Sequence, residues 1–152
     1  MSDSTTQPPE NRPAFVVTDP DRLVGRGHQA GDFLEAYEWL VLDEAEGYLK
    51  IQAHLPTHAL NPRGQLFGGF TPTYVDLVSL YTVHSDDTER NEERRFLSTI
   101  NMRCDYFEPV LGPTFTIRGE LENQRGKTSL VSTKFFNGDT MLVHAITTMR
   151  AA

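Results

Sequence analysis

The chain is poor in the residues that several common chemistries require. Its one cysteine, Cys104, cannot close an intrachain disulfide, and it stands in an alternating apolar run where packing is its ordinary use. Cysteine-based metal or redox chemistry is set aside on that ground. The five histidines, His28, His54, His58, His84 and His144, lack ligand spacing such as a His-x3-His pair on a helix, so no metal site is expected. No apolar run approaches the roughly 20 residues of a membrane-spanning helix. The opening MSDSTTQPPENRP has neither a basic n-region nor an apolar h-region, so a cytoplasmic location is expected. Positive charge is also scarce: 14 Lys and Arg stand against 21 Asp and Glu, a formal net charge of −7. That balance argues against nucleic acid as a partner. An anionic small molecule would need a local cluster of Arg and Lys.

What remains is an ordinary globular composition, with 38% hydrophobic and 23% charged residues over 152 positions. Residues 1–18 are expected to form an irregular or disordered tail, and 19–152 a single domain. From Asp19 to Tyr37, apolar positions broken by glycines suit one or two short helices.

Strand patterns follow. Ala36–Asp43 reads as a strand, Glu44–Gly47 as a turn, and Tyr48–Leu55 as its hairpin partner, because Leu49, Ile51, Ala53 and Leu55 alternate with polar neighbours. Gly69–His84 carries helical spacing at Phe70, Tyr74, Leu77, Leu80 or Tyr81, and His84, with Pro72 in the first turn, where its missing N–H costs little. A polar stripe, Thr73–Asp76–Ser79, is flanked by Val75 and Val78, so both faces of this helix can be covered. Ser85–Arg95 is a charged, solvated loop. Four further strands are expected at Phe96–Phe107, Thr114–Glu122, Thr128–Phe136 and Thr140–Arg150. Their turns fall at Glu108–Pro113, Asn123–Lys127 and Asn137-Gly138-Asp139. A hairpin, one long helix and an antiparallel meander of three or four strands make an α+β chain, with the helix laid across the sheet.

The most informative stretch runs from Asn61 to Asp76. Gly68-Gly69 opens the helix, where unpaired N–H groups and the positive end of the helix dipole can receive a carbonyl oxygen or an anion. Asp76 places a carboxylate about two turns in, a candidate base or nucleophile. Asn61 before Pro62 also suits simple turn initiation.

This order, with Asn61, Gly64, Gly68, Gly69 and Asp76 at matching spacing, resembles the hotdog-fold acyl-CoA thioesterases of the phenylacetate-degradation type. Ser98–Pro109 and the Gln124–Lys127 turn strengthen the resemblance, which covers roughly Tyr37 to Arg150. It implies an antiparallel sheet wrapped around one central helix, and hydrolysis of an acyl-CoA to free acid and CoA without a cofactor. It further implies a homodimer, with a dimer of dimers as the larger form. Carried over, the Gly68 N–H is the oxyanion donor, Asp76 the base or nucleophile, Asn61 a positioning group and Thr99 an assisting hydroxyl. Asn61 and Gly68 would come from one subunit, Asp76 and Thr99 from the other. Phe67 stands where the family has histidine, beside Gly69 in the substrate-binding stretch. That replacement gives the second reading, a non-catalytic acyl-CoA or lipid-binding domain. A hydratase reading is disfavoured, because nothing like Asp-x4-His opens the helix. Arg125 and Lys127, ahead of Arg94 and Arg95, are the candidates for the CoA phosphates. Thr99 is favoured by spacing, yet strict alternation gives Ser98 the face of Ile100. Either a β-bulge turns the strand or Ser98 takes the role.

The same residues make chemical sense in that role. A thioester carbonyl under attack becomes an oxyanion and needs a donor fixed in advance. A glycine there permits close approach to the backbone. Asp76, beside Val75 and Val78, is expected to be partly desolvated.

Overall fold

The computed structural model describes residues 29–84 and 97–152. The expected tail, the 85–95 loop, His28, Arg94 and Arg95 lie outside the described residues. A short helix α1 (Gln29–Phe33) and a 3-10 turn (Ala36–Glu38) lead into β1 (Leu40–Ala45) and β2 (Tyr48–His54). A 3-10 turn (Gly68–Phe70) then opens the long helix α2 (Thr71–Val83), and four strands follow: β3 (Leu97–Tyr106), β4 (Thr114–Arg125), β5 (Thr128–Asn137) and β6 (Thr140–Ala151).

All six strands form one antiparallel sheet in the order β1-β2-β4-β5-β6-β3, and α2 packs against it. This is the hotdog arrangement. The meander is confined to β4–β6, since β3 does not pair with its chain neighbour but crosses to the far edge beside β6.

Three expected boundaries move, each for a local reason. Ala36–Asp43 does not begin as a strand. Glu38 and Trp39 donate back to the Glu35 and Ala36 carbonyls at 2.8 and 3.0 Å, forming a turn that delays β1 to Leu40. The helix starts as a 3-10 turn at Gly68 and becomes α-helical at Thr71, with Pro72 in its first turn. Asn123–Lys127 is not all turn. A bulge between Leu121 and Asn123 lets β4 run on to Arg125, leaving Gly126 and Lys127 as the connection, with Gly126 at φ +59°. That conformation favours glycine.

One apolar row crosses the sheet beneath the helix: Ile51 opposite Ile117, Ile117 opposite Phe135, Phe135 opposite Val143. All four are fully buried, each worth about 1.5–3 kcal/mol of transfer free energy. An aromatic stack joins this row to the N-terminal turn. Trp39 lies parallel to Tyr74 at 5.4 Å, and Tyr74 meets Phe115 edge-on at 5.2 Å. Tyr74 also donates its hydroxyl to the His54 carbonyl at 2.7 Å. Burial, with the Glu35 carboxylate adding to it, pushes the phenol well above the ordinary tyrosine range.

Helix α2 is buried nearly all round, including Thr71, Ser79 and Thr82. Two of these hydroxyls are bonded: Ser79 shares a 3.3 Å hydrogen bond with Thr133 of β5, and Thr82 donates to the Val78 carbonyl at 2.7 Å. Gly119 on β4 makes this close packing possible. A Cβ there would lie 2.0 Å from Thr82 Oγ1 and 3.1 Å from its Cβ. Cys104 is half-buried against the core on β3, and burial followed by the Asp105 carboxylate pushes its thiol pKa up.

Candidate active site

The Asn61–Gln65 loop is closed by hydrogen bonds among its own residues. Asn61 Oδ1 accepts the N–H groups of Arg63 and Gln65 at 2.9 and 3.1 Å, and its Nδ2 faces Gln65 Oε1 at 3.4 Å. Its main chain closes the same loop, receiving Gly64 N–H at 3.0 Å and donating to the Gln65 carbonyl at 2.7 Å. Within one chain, Asn61 is therefore a loop-forming residue, and its side chain does not meet Asp76. Gly64, at φ +74°, supplies the reversal that brings Gln65 back.

Past the loop the chain is extended at Phe67 and then turns. Phe70 N–H reaches the Phe67 carbonyl at 2.9 Å, and Thr71 N–H reaches the Gly68 carbonyl. The N–H groups of Gly68 and Gly69 have no acceptor among the described residues. They form an exposed pair of donors at the positive end of α2.

The two glycines are there for different reasons. Neither has a positive φ. A Cβ on Gly69 would stand 2.7 Å from Cε1 of Phe67, so the ring of Phe67 lies across that residue. A Cβ on Gly68 would make only an ordinary 3.8 Å contact with Tyr106, which leaves its outward side open to an incoming group.

Phe67 is half exposed and begins an aromatic chain. It meets Phe70 at 5.2 Å, Phe70 meets Phe33 at 5.0 Å, and Phe33 meets His58 at 5.0 Å. His58 Nε2 lies 2.5 Å from the Phe33 carbonyl, which fixes the outer end. The apolar wall thus stands beside the open donors.

Asp76 is half-buried on the polar stripe of α2, and Thr99 donates its hydroxyl proton to Asp76 Oδ1. The strand geometry accounts for this pairing. Tyr106, Cys104 and Met102 face Val143, Ala145 and Thr147 of β6 in regular register. Between Thr99 and Asn101 a bulge inserts Ile100, so Thr99 lies opposite the core residue Met149 and turns toward the helix. Ser98, paired with Arg150, and Thr99 are both exposed, and it is Thr99 that meets Asp76. The bulge, and not strict alternation, accounts for which of the two hydroxyls meets Asp76.

Arg125, the last residue of β4, and Lys127 in the turn after it are exposed, and Lys127 Nζ reaches the Ala152 carbonyl at 3.4 Å. Thr128 pairs with Arg150 and Arg150 with Ser98, so this turn sits at the end of the sheet where β3 begins. Gly68 is at the other end of β3. Its carbonyl accepts the Tyr106 hydroxyl at 2.8 Å, a contact between distant residues that no local sequence pattern marks.

No group of three or more His, Cys, Asp and Glu among the described residues could hold a metal ion. His54 instead meets Glu35 at 2.7 Å and His144 meets Ser132 at 3.1 Å.

Residues 63–144, more than half of the chain, match the model of the family described as the thioesterase superfamily. No curated protein matches the chain by sequence. Among solved structures, a hypothetical thioesterase of Streptococcus pneumoniae TIGR4 with coenzyme A is similar at 20% identity and TM-score 0.65, covering 76% of this chain and 89% of that one. The smu.793 protein of Streptococcus mutans UA159, bound to acetyl CoA, is similar at 20% identity and TM-score 0.64, covering 76% and 89%. A phenylacetic acid degradation-related protein of Ralstonia eutropha JMP134 is similar at 20% identity and TM-score 0.68, covering 82% and 94%.

Proposed function

The chain belongs to the thioesterase superfamily, and from that premise we propose that it hydrolyses an acyl-CoA to free acid and CoA. Asp76 is the base or nucleophile and the Gly68 N–H the oxyanion donor. In the base form, Asp76 takes a proton from water, and the water oxygen bonds to the thioester carbon. The developing oxyanion sits on the Gly68 N–H. Collapse breaks the C–S bond, and the proton held by Asp76 passes to the leaving sulfur. Thr99 holds the carboxylate in one orientation throughout. The observation that carries this reading is the Thr99–Asp76 hydrogen bond, in a chain whose helix start presents open donors.

One chain does not bring these groups onto a single carbonyl. Asp76 follows Gly68 by eight residues, which at about 1.5 Å per helical residue is about 12 Å. A homodimer offers the solution. β3 ends the sheet order, so its outer edge is open for pairing. Its exposed side chains include Ile100 and Tyr106. In an antiparallel β3–β3 pair, the Gly68–Tyr106 end of one protomer lies opposite the Asp76–Thr99 end of its partner. Two composite sites result, and a dimer of dimers is the larger form. Arg125 and Lys127 are positioned to meet CoA phosphates along the edge where β3 begins. The protein acts in the cytoplasm; no helix among the described residues is long and apolar enough to cross a membrane.

The deciding experiment is a thiol-release screen over short, medium, long and aromatic acyl-CoAs, with Asp76→Ala as the control. Release that persists at wild-type rate in the variant would sink the mechanism. A second reading, a non-catalytic acyl-CoA or lipid-binding domain, is favoured by Phe67 in the histidine position. It is supported if a non-hydrolysable acyl-CoA analogue raises Tm while no thioester in the screen is cleaved.

A further inference from the structure

We propose, building on the thioester reading of this site, that Tyr106 is a positioning residue that clamps the Gly68–Gly69 peptide and so aims the oxyanion donors. The Gly68 carbonyl receives two donors, the Thr71 N–H from within the turn and the Tyr106 hydroxyl at 2.8 Å from β3. That carbonyl and the Gly69 N–H belong to one planar peptide unit, so holding the oxygen fixes the direction of the N–H. It also restrains the rotation that links this unit to the Gly68 N–H. Two consecutive glycines would otherwise leave this turn the most freely rotating part of the loop. Phe67 holds the Gly69 side through its ring, and Tyr106 holds the Gly68 side through its hydroxyl. Neither contact uses an N–H, so both donors stay open.

The clamp is built into the sheet. Tyr106 pairs with Val143 in the register of the β3–β6 ladder, and its ring passes 3.8 Å from where a Gly68 Cβ would be. The phenol also stands beside the same element: burial raises its pKa, and Thr71, the first residue of α2, offsets part of that rise. Donation into the carbonyl also polarises the peptide, which strengthens its N–H as a donor. The same element that would meet the partner protomer at its edge thus holds the donor turn.

Tyr106→Phe keeps the ring and removes only the hydroxyl. The expected result is a fall in kcat of about tenfold or more with KM within about twofold, as for a misplaced catalytic group. Amide relaxation in ¹⁵N-labelled protein should show the Gly68 and Gly69 order parameters falling from about 0.85 toward 0.6. Asp76→Asn is the comparison: its turnover is lost while the two glycines keep wild-type order parameters. Unchanged glycine order parameters in Tyr106→Phe would overturn the clamp, and so would a kcat within twofold of wild type. If the wild-type protein cleaves no thioester, the functional reading fails, and the relaxation measurement still decides the clamp.

Discussion

Thr99 donates its hydroxyl proton to the carboxylate of Asp76, joining β3 to α2. A carboxylate held this way keeps one oxygen occupied and the other free for a reactant. Asp76→Asn is expected to cut turnover by at least ~10²-fold, the usual scale for a positioned acid–base group. Thr99→Ala should lower kcat about tenfold with KM little changed, because Thr99 acts through the carboxylate. In the Asp76→Asn background the same change should add nothing, since residues acting as a unit are not additive. Steady-state kinetics on the three variants checks this, and full additivity would mean the hydrogen bond has no catalytic role.

Asn61 presents a different case, because all the hydrogen bonds found for its side chain stay within its own loop. Asn61→Asp keeps the oxygen that accepts from Arg63 and Gln65, so activity should remain within about threefold of wild type with little change in Tm. Asn61→Ala strands two donors and should cost about 1 kcal/mol. Denaturant melts alongside turnover assays separate the outcomes. Large loss of activity in Asn61→Asp at wild-type stability would instead favour direct contact of the amide nitrogen with a reactant.

How far the sequence carried these conclusions depends on the range of the interaction involved. Period-two alternation in Leu49, Ile51 and Ala53, helical spacing from Phe70 onward and the Asn137-Gly138 hairpin are local patterns, and each reappears in the fold. The pairing of β3 with β6 leaves no local trace, so the crossing of β3 to the far edge was not legible. The bulge at Ile100 shows the same limit: alternation favoured Ser98, and only the register opposite Met149 brings the Thr99 hydroxyl to Asp76. Tyr106 and Gly119 were missed because their partners, Gly68 and Thr82, are distant in sequence. Glu35 at φ +53°, which leads into the 3-10 turn before β1, has no signal in residue type.

Tyr74 sets an alkaline limit on stability. Its folded pKa is raised by burial, with the Glu35 carboxylate second, so the native state holds the phenolic proton more tightly than the unfolded chain does. Its stabilising effect is complete below the ordinary tyrosine value near 10 and is lost as pH climbs from there toward the higher folded value. Thermal melts between about pH 9 and pH 11.5 should show Tm falling from about pH 10. Tyr74→Phe should start lower at neutral pH by about 1 kcal/mol, for the lost bond to the His54 carbonyl, and should fall less steeply in alkali. Parallel slopes for the two proteins would remove Tyr74 as the cause.

Gly119 tests whether the helix is seated on the sheet by shape. A Cβ there would collide with Thr82 Oγ1 at 2.0 Å, and would press on Thr82 Cβ at 3.1 Å and Val78 Cγ1 at 3.2 Å. The hydroxyl cannot simply rotate away at no cost, because it already donates to the Val78 carbonyl. Gly119→Ala is therefore expected to destabilise by about 1–3 kcal/mol, the range for overpacking a close-packed core. Thr82→Ala removes the atom in closest conflict. The double variant should recover part of the loss, giving a coupling energy of about 0.5 kcal/mol or more between the sites. Urea melts of the four proteins measure that coupling. Independent, additive losses would mean that β4 and α2 adjust by moving apart, and that glycine at this position does not govern how closely the helix lies on the sheet.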